Sequence, residues 1–137
     1  MRYTFLFLLD IIKTLYMTII FSPIPPSKKN SKQIICTQDR PRLISSKAYR
    51  AWHDGEMWIL KKYKPKKPIE KCEISCEFWF PDNRRRDLSN VFEGIADILV
   101  DAEILKDDDW KTVESILLYA MGIDKKHPRV EVRIEEL

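Results

Sequence analysis

The sequence predicts a single domain of the α/β (α+β) class, with strands set around two main helices. Three observations carry this. A chain of 137 residues is one domain's worth of polypeptide, with room for a modest core. Residues 71–80 alternate apolar and polar side chains with a period of two. Residues 88–102 repeat apolar side chains at spacings of three and four, the period of a helix that buries one face.

The elements follow in order. Residues 1–16, MRYTFLFLLDIIKTLY, form an apolar N-terminal extension interrupted by Asp10 and Lys13. They are too short and too broken to span a membrane. They also lack the small-residue cleavage site of a secretory signal. Met17 opens a segment that reads as a natural start, so the working domain is expected over 17–137, with the first sixteen residues supplied by an upstream start codon; the alternative is a genuine apolar extension that packs on the domain or on a partner. Thr18 to Ile24 reads as a strand closed by Pro23, Pro25 and Pro26. Lys32 to Thr37 reads as a second short strand. A helix is expected over about 46–63, capped by Ser45 or Ser46, with Trp52, Met57, Ile59 and Leu60 as its apolar side. Lys61 to Pro68 is a basic, proline-punctuated linker.

Lys71 to Phe80 is the clearest strand, with Cys72, Ile74, Cys76, Phe78 and Phe80 on one face. Its end delivers Arg84, Arg85, Arg86 and Asp87 to the start of the second helix. There Leu88, Val91, Phe92, Ile95, Ile98, Leu99 and Ala102 form the apolar face. Asn90, Glu93, Asp97 and Asp101 recur on the other side, and Asp87 stands where a cap belongs. Val113 to Met121 and Arg129 to Ile134 read as two further strands, joined by Gly122 to Pro128 as a hairpin.

Composition narrows the function. The net charge of +3 hides an asymmetry: residues 28–67 hold twelve Lys and Arg against three acids, and residues 87–109 hold eight acids against one Lys. A basic surface beside an acidic pocket suits a nuclease that uses metal ions, one part for phosphates and the other for the ions. Three glycines and no glycine-rich phosphate loop exclude a nucleotide cofactor. Three cysteines argue for a reducing compartment, and the His and Cys spacing does not make a zinc site. The sequence therefore points to a cytoplasmic protein with no membrane segment.

The acidic helix and the aspartate run Asp107, Asp108 and Asp109 are the candidate site. A short turn is expected to fold that run back beside the helix. Carboxylates converging from two elements repel unless a cation or proton neutralises them, and oxygen-rich clusters suit Mg2+ or Mn2+.

The segments PPSKKNS, PDNRRRDLSN, NVFEGIADILVDAEIL and KDDDW, in that order and spacing, resemble the RusA-like Holliday junction resolvases. These are small homodimeric endonucleases, common in bacteriophages and prophages. The resemblance covers about residues 17–137. It implies a mixed β-sheet with helices, a homodimer, and Mg2+-dependent hydrolysis of phosphodiesters as paired nicks across a four-way DNA junction. It implies that Asp87 is the first catalytic aspartate of an Asp-x-Asp-Asn motif and Asn90 its asparagine. Asp97 matches a helix aspartate, and Asp107 and Asp108 match an Asp-Asp pair whose second member is a metal ligand. Two positions depart from the pattern. Ser89 stands where a second aspartate is expected, and Glu93 where a lysine is expected. The two are neighbours on one helix face, so Glu93 is expected to replace the missing carboxylate from one turn away.

On this reading Asp87, Glu93, Asp97 and Asp108 hold the metal, lowering the pKa of a bound water and neutralising charge on the scissile phosphate. Arg84, Arg85, Arg86, Lys28, Lys29, Asn30 and Asn90 contact DNA. Two alternatives stay open: a non-catalytic branched-DNA-binding phage protein with a degraded site, and a nuclease for other branched or flapped DNA.

Overall fold

A computed structural model describes residues 16–27, 32–38 and 40–137. The first fifteen residues of the N-terminal extension and the loop carrying Lys28, Lys29 and Asn30 lie outside the described residues. The elements are β1 (Tyr16–Phe21), β2 (Lys32–Thr37), β3 (Arg40–Ser45), α1 (Lys47–Leu60) with a 3-10 turn (Lys61–Tyr63), β4 (Cys72–Phe80), α2 (Leu88–Asp101), β5 (Val113–Ile123) and β6 (Arg129–Glu136). The main sheet has the order β1-β6-β4-β5, while β2 and β3 form a separate antiparallel pair. β1 and β4 are antiparallel to β6, and β4 and β5 are parallel, so the sheet is mixed.

β4 organises the sheet. Cys72, Ile74, Cys76 and Phe78 are all at most 2% exposed and face the helices, as their alternation predicts. Burial pushes the Cys72 and Cys76 thiols up to about 11 and about 12, so both sit in the core as neutral thiols. β6 contributes Val130, Val132 and Ile134 to the same core. α2 closes it with Val91, Phe92, Ile95, Ile98 and Leu99.

The predicted hairpin between the last two strands is incorrect. β5 and β6 both pair with β4, on opposite sides of it. β4-α2-β5 is a parallel crossover unit. The chain then passes across the end of β4, with the Asp124 amide donating to the Phe80 carbonyl at 2.8 Å. Two strand spacings are about 10 Å, which a five-residue connection spans easily. The strand Arg40–Ser45 was not expected; Gln38, at φ 50°, lies in the turn before it.

α1 starts where expected: the Ser46 side chain accepts from the Tyr49 amide at 3.2 Å. Its buried side is Tyr49, Trp52, Glu56 and Leu60, whereas Ile59 is exposed. The 3.6-residue period from Tyr49 sets that face, and Ile59 falls off it. The Tyr49 hydroxyl donates to the Gly94 carbonyl of α2 at 3.3 Å. A Cβ on Gly94 would lie 2.9 Å from the Tyr49 ring, so glycine is required for this helix-helix approach. Gly94→Ala is expected to lose about 1–3 kcal/mol by overpacking, less whatever part of about 1 kcal/mol alanine returns as helix propensity. Urea denaturation measures the net loss.

Glu56 is buried on the same side, and burial raises its carboxyl above the ordinary 4.5. The folded state thus disfavours the ionised form. The penalty is present above the folded pKa and fades as pH falls through it, vanishing below the unfolded pKa. Glu56→Gln should therefore raise the melting temperature at pH 7 and change it little near pH 4. A pair of thermal scans checks both arms.

Candidate active site

Two groups of candidate side chains stand towards opposite ends of α2. The first lies at the end of β4. Pro81 and Asp82 turn the chain, and the Asp82 carboxylate accepts from the Arg84 amide at 2.9 Å and the Arg86 guanidinium at 2.7 Å. The hydrogen bond from Arg86, then that from the Arg84 amide, holds the Asp82 carboxyl down at about 2. Arg86 also stacks over the Phe80 ring at 5.2 Å. The three arginines are thus not equivalent. Arg86 is half-buried and committed to Asp82, whereas Arg84 and Arg85 are exposed.

Asp87 caps α2. Its Oδ1 accepts from the Ser89 amide at 3.0 Å and from the Ser89 hydroxyl at 2.7 Å. Ser89, where an acid was expected, therefore holds the orientation of Asp87. That role was not read from the sequence, although a serine two residues after a capping aspartate is the available signal. Asp87, Asn90, Arg85 and Arg86 line a cavity of about 350 Å³ whose other walls include Pro23, Pro25, Pro26, Pro81 and Pro128. Five rigid proline rings make this a preformed recess. Ser27, on its rim, is the last described residue before the loop of Lys28, Lys29 and Asn30.

Glu93, Asp97 and Asp101 run down one side of α2, beside α1. His53 Nε2 lies 2.8 Å from the Asp101 carboxylate. Burial pushes the Tyr49 hydroxyl up to about 12, with the Asp101 and Glu93 charges adding to the shift. Glu93 is exposed and Asp97 half-buried. At about 1.5 Å per residue, Asp97 lies about 15 Å along the helix from Asp87.

The second group lies at the other end. Asp109 accepts from the Lys111 amide at 3.0 Å and the Thr112 amide at 3.2 Å, which turns the chain into β5. Asp107 accepts from the Asp108 amide at 2.8 Å. Asp108 itself is exposed, and among the described residues its carboxylate accepts no hydrogen bond. Lys71, Lys106 and Lys111 line an open recess beside Asp107 and Asp109. Trp110, 78% exposed, stands next to them and offers an unpacked ring; the sequence shows it as the end of the KDDDW segment, without a role of its own.

α2 has fourteen residues, so its two ends lie about 21 Å apart; Asp87 caps the first end, and Asp108 follows the second, between Leu105, which bridges Ile69, and Val113, which pairs with Cys72. The aspartate run thus stands at the end of the helix away from Asp87, and the expected convergence of Asp87 and Asp108 is not seen within one protomer among the described residues. The crossover from β4 to β5 requires α2 to run the full height of the sheet, which carries Asp107–Asp109 to the start of β4 instead. Among the described residues no three His, Cys, Asp or Glu side chains converge as metal ligands. Among the described residues, one protomer alone brings together no set of side chains that fits a divalent cation.

A protein-family model described as endodeoxyribonuclease RusA matches residues 23–135. The chain belongs to the RusA endodeoxyribonuclease family. The matched span opens at Pro23 in the cavity wall and closes in β6, so it includes both ends of α2. No curated protein gives a match to the chain. RusA membership makes the protein a nuclease of the resolvase type. Among the described residues of this RusA chain no helix is long and apolar enough to cross a membrane.

Proposed function

We propose that the protein is a Mg2+-dependent, structure-specific endodeoxyribonuclease that resolves four-way DNA junctions by paired nicks in recombination and repair. It acts as a homodimer in the cytoplasm of a bacterial or phage-infected cell. The observation that carries this reading is the placement of Asp87 and Asp108 at opposite ends of one helix. A centre that uses both is assembled between two protomers, and a two-fold dimer then has two such centres. Two centres related by symmetry match two symmetric cuts.

This chain's own residues have distinct parts in that reading. Ser89 fixes the Asp87 carboxylate. Asp108 presents a carboxylate from a rigid turn. Glu93, one helical turn from Ser89, adds a further carboxylate where the family pattern has lost one, and Asp97 follows it down the same side. Arg84 and Arg85 carry the exposed guanidinium groups that hold flanking phosphates, with Lys28, Lys29, Asn30 and Asn90 as additional DNA contacts. Mg2+, with Mn2+ as a substitute, is the cofactor the acidic residues call for.

The test is a cleavage assay on a synthetic four-way junction, with duplex and flap DNA alongside. The expected result is paired nicks in the junction with Mg2+, none in chelator, and a steep decline with salt. Binding without cutting under every metal tried would replace this reading with a junction-binding protein that has lost its chemistry. Equal cutting of flaps would widen the substrate class.

A further inference from the structure

Residues 61–67 hold five lysines, and no acid occurs between Glu56 and Glu70. The run is not a loose tether. It starts after Leu60 and ends before Ile69, both of them buried. The Ile69 amide donates to the Ile104 carbonyl at 2.8 Å, and the Lys106 amide donates to the Ile69 carbonyl at 3.0 Å. Between those anchors, the 3-10 turn and the fixed φ of Pro65 and Pro68 shape the backbone. Tyr63 packs against the core, while all five lysines are exposed.

Their charge is largely uncancelled. Lys64 pairs with Glu103. Among the described residues no carboxylate pairs with Lys61, Lys62, Lys66 or Lys67. The Lys61 ammonium instead sits 3.8 Å from the centroid of the Trp58 ring, and that of Lys62 lies 5.1 Å from the Tyr63 ring. An aromatic face orders an ammonium without neutralising it. Trp58 is 74% exposed, so its ring serves Lys61 and adds little to the core. Like charges held side by side repel one another, and a polyanion relieves that repulsion.

We infer that Lys61, Lys62, Lys66 and Lys67 form a second DNA contact, which takes the phosphate backbone of a duplex arm beside the Asp107–Asp109 turn. This rests on the DNA-cleaving reading above and adds where an arm lies. The stretch 61–68 has no Arg, Asn or Gln, the side chains that read base edges in pairs of hydrogen bonds, so the contact is to backbone and independent of sequence. Its place follows from the bridge between Ile69 and Leu105, which ties the lysine run to the chain three residues before Asp108. By chain reach Lys66 and Lys67 lie within about 25 Å of Asp108, a length that a duplex covers in about seven base pairs. The lysines and Asp108 can therefore meet the same arm within one turn of its helix.

Fluorescence anisotropy of a labelled plain duplex, in chelator and over a range of salt, tests the surface. The wild-type chain should bind with an affinity that falls steeply as salt rises. Lys61→Gln, Lys62→Gln, Lys66→Gln and Lys67→Gln together should reduce the slope of log K against log salt by about 2–4, at about 0.9 per phosphate contact, and weaken binding at least tenfold at about 0.1 M salt. Arginine at the same four positions should keep the slope. A wild-type chain that does not bind, a slope unchanged by glutamine, or a slope lost to arginine as well overturns the proposal. Lysine acetylation of the wild-type chain, mapped by mass spectrometry, reads the same surface without a substitution. The duplex should shield Lys61, Lys62, Lys66 and Lys67, and equal labelling with and without it overturns the proposal. Because no metal is present, cleavage does not enter the result: a chain that shows this contact yet never cuts a junction keeps the surface and removes the resolvase reading.

Discussion

Asp108→Asn is expected to lower the rate of four-way junction cleavage at least a hundredfold, which is a loss of about 3 kcal/mol of transition-state stabilisation. Binding of the junction should survive. Asp108 is exposed and no described hydrogen bond depends on its carboxylate, so the substitution removes a charge and nothing structural. Asp109→Asn should behave differently. Its Oδ1 accepts the Lys111 and Thr112 amides that start β5, and asparagine can accept both. Activity should then stay within a few-fold of the parent. Single-turnover cleavage with gel-shift binding separates the two aspartates.

Asp87→Asn should cost at least as much rate, again about a hundredfold or more. The fold should hardly notice. Asparagine is as good a helix cap as aspartate, and its side-chain oxygen can still accept from Ser89. Asp87→Ala removes the charge and the cap together, so it should lose the same activity and about 1 kcal/mol of stability besides. Equal stability of the asparagine variant and lowered stability of the alanine variant, read by urea denaturation, would show that the carboxylate has two separable tasks. If the asparagine variant cuts at the parental rate, Asp87 is only a cap.

These residues were found from sequence because each leaves a local signal. Asp87 precedes a strongly periodic helix, and the alternation in β4 reports a strand with one buried face. β6 was legible for the same reason, since Val130, Val132 and Ile134 point into the core between charged neighbours. β5 hid its place. Its apolar residues lie on both faces, so no alternation marks an inside, and the turn signals after it suggested the nearest partner. The true partner, β4, is set by the crossover through α2. β3 begins with Arg40, Pro41 and Arg42, which show no apolar alternation and include a residue that strands avoid, so no strand signal stands there.

The candidate site is legible in the sequence as a set of acids and not as an arrangement. Asp87 and Asp108 are close in sequence, and a short turn after α2 reads as enough to fold the aspartate run back beside the helix. A helix that crosses between parallel strands must span the sheet, which fixes its two ends apart. That constraint is topological, and it appears only when β5 is known to be parallel to β4. Ser89 is the converse case. As a missing acid it looked like damage, whereas its hydroxyl and amide both hold Asp87.

The central claim is that the active centre is shared between protomers, and mixing two inactive variants tests it most directly. Asp87→Asn and Asp108→Asn chains are co-refolded in equal amounts and given a nicked-product assay on a four-way junction. Half of the dimers are then mixed, and each mixed dimer has one centre with both aspartates intact and one with neither, so about a quarter of the wild-type centres return. The account predicts single nicks at about that fraction of the wild-type rate, with almost no paired cuts, from two proteins that are each inactive alone. If every centre instead lies within one chain, each remains defective in the mixture, and an absence of nicking in verified mixed dimers would contradict the account.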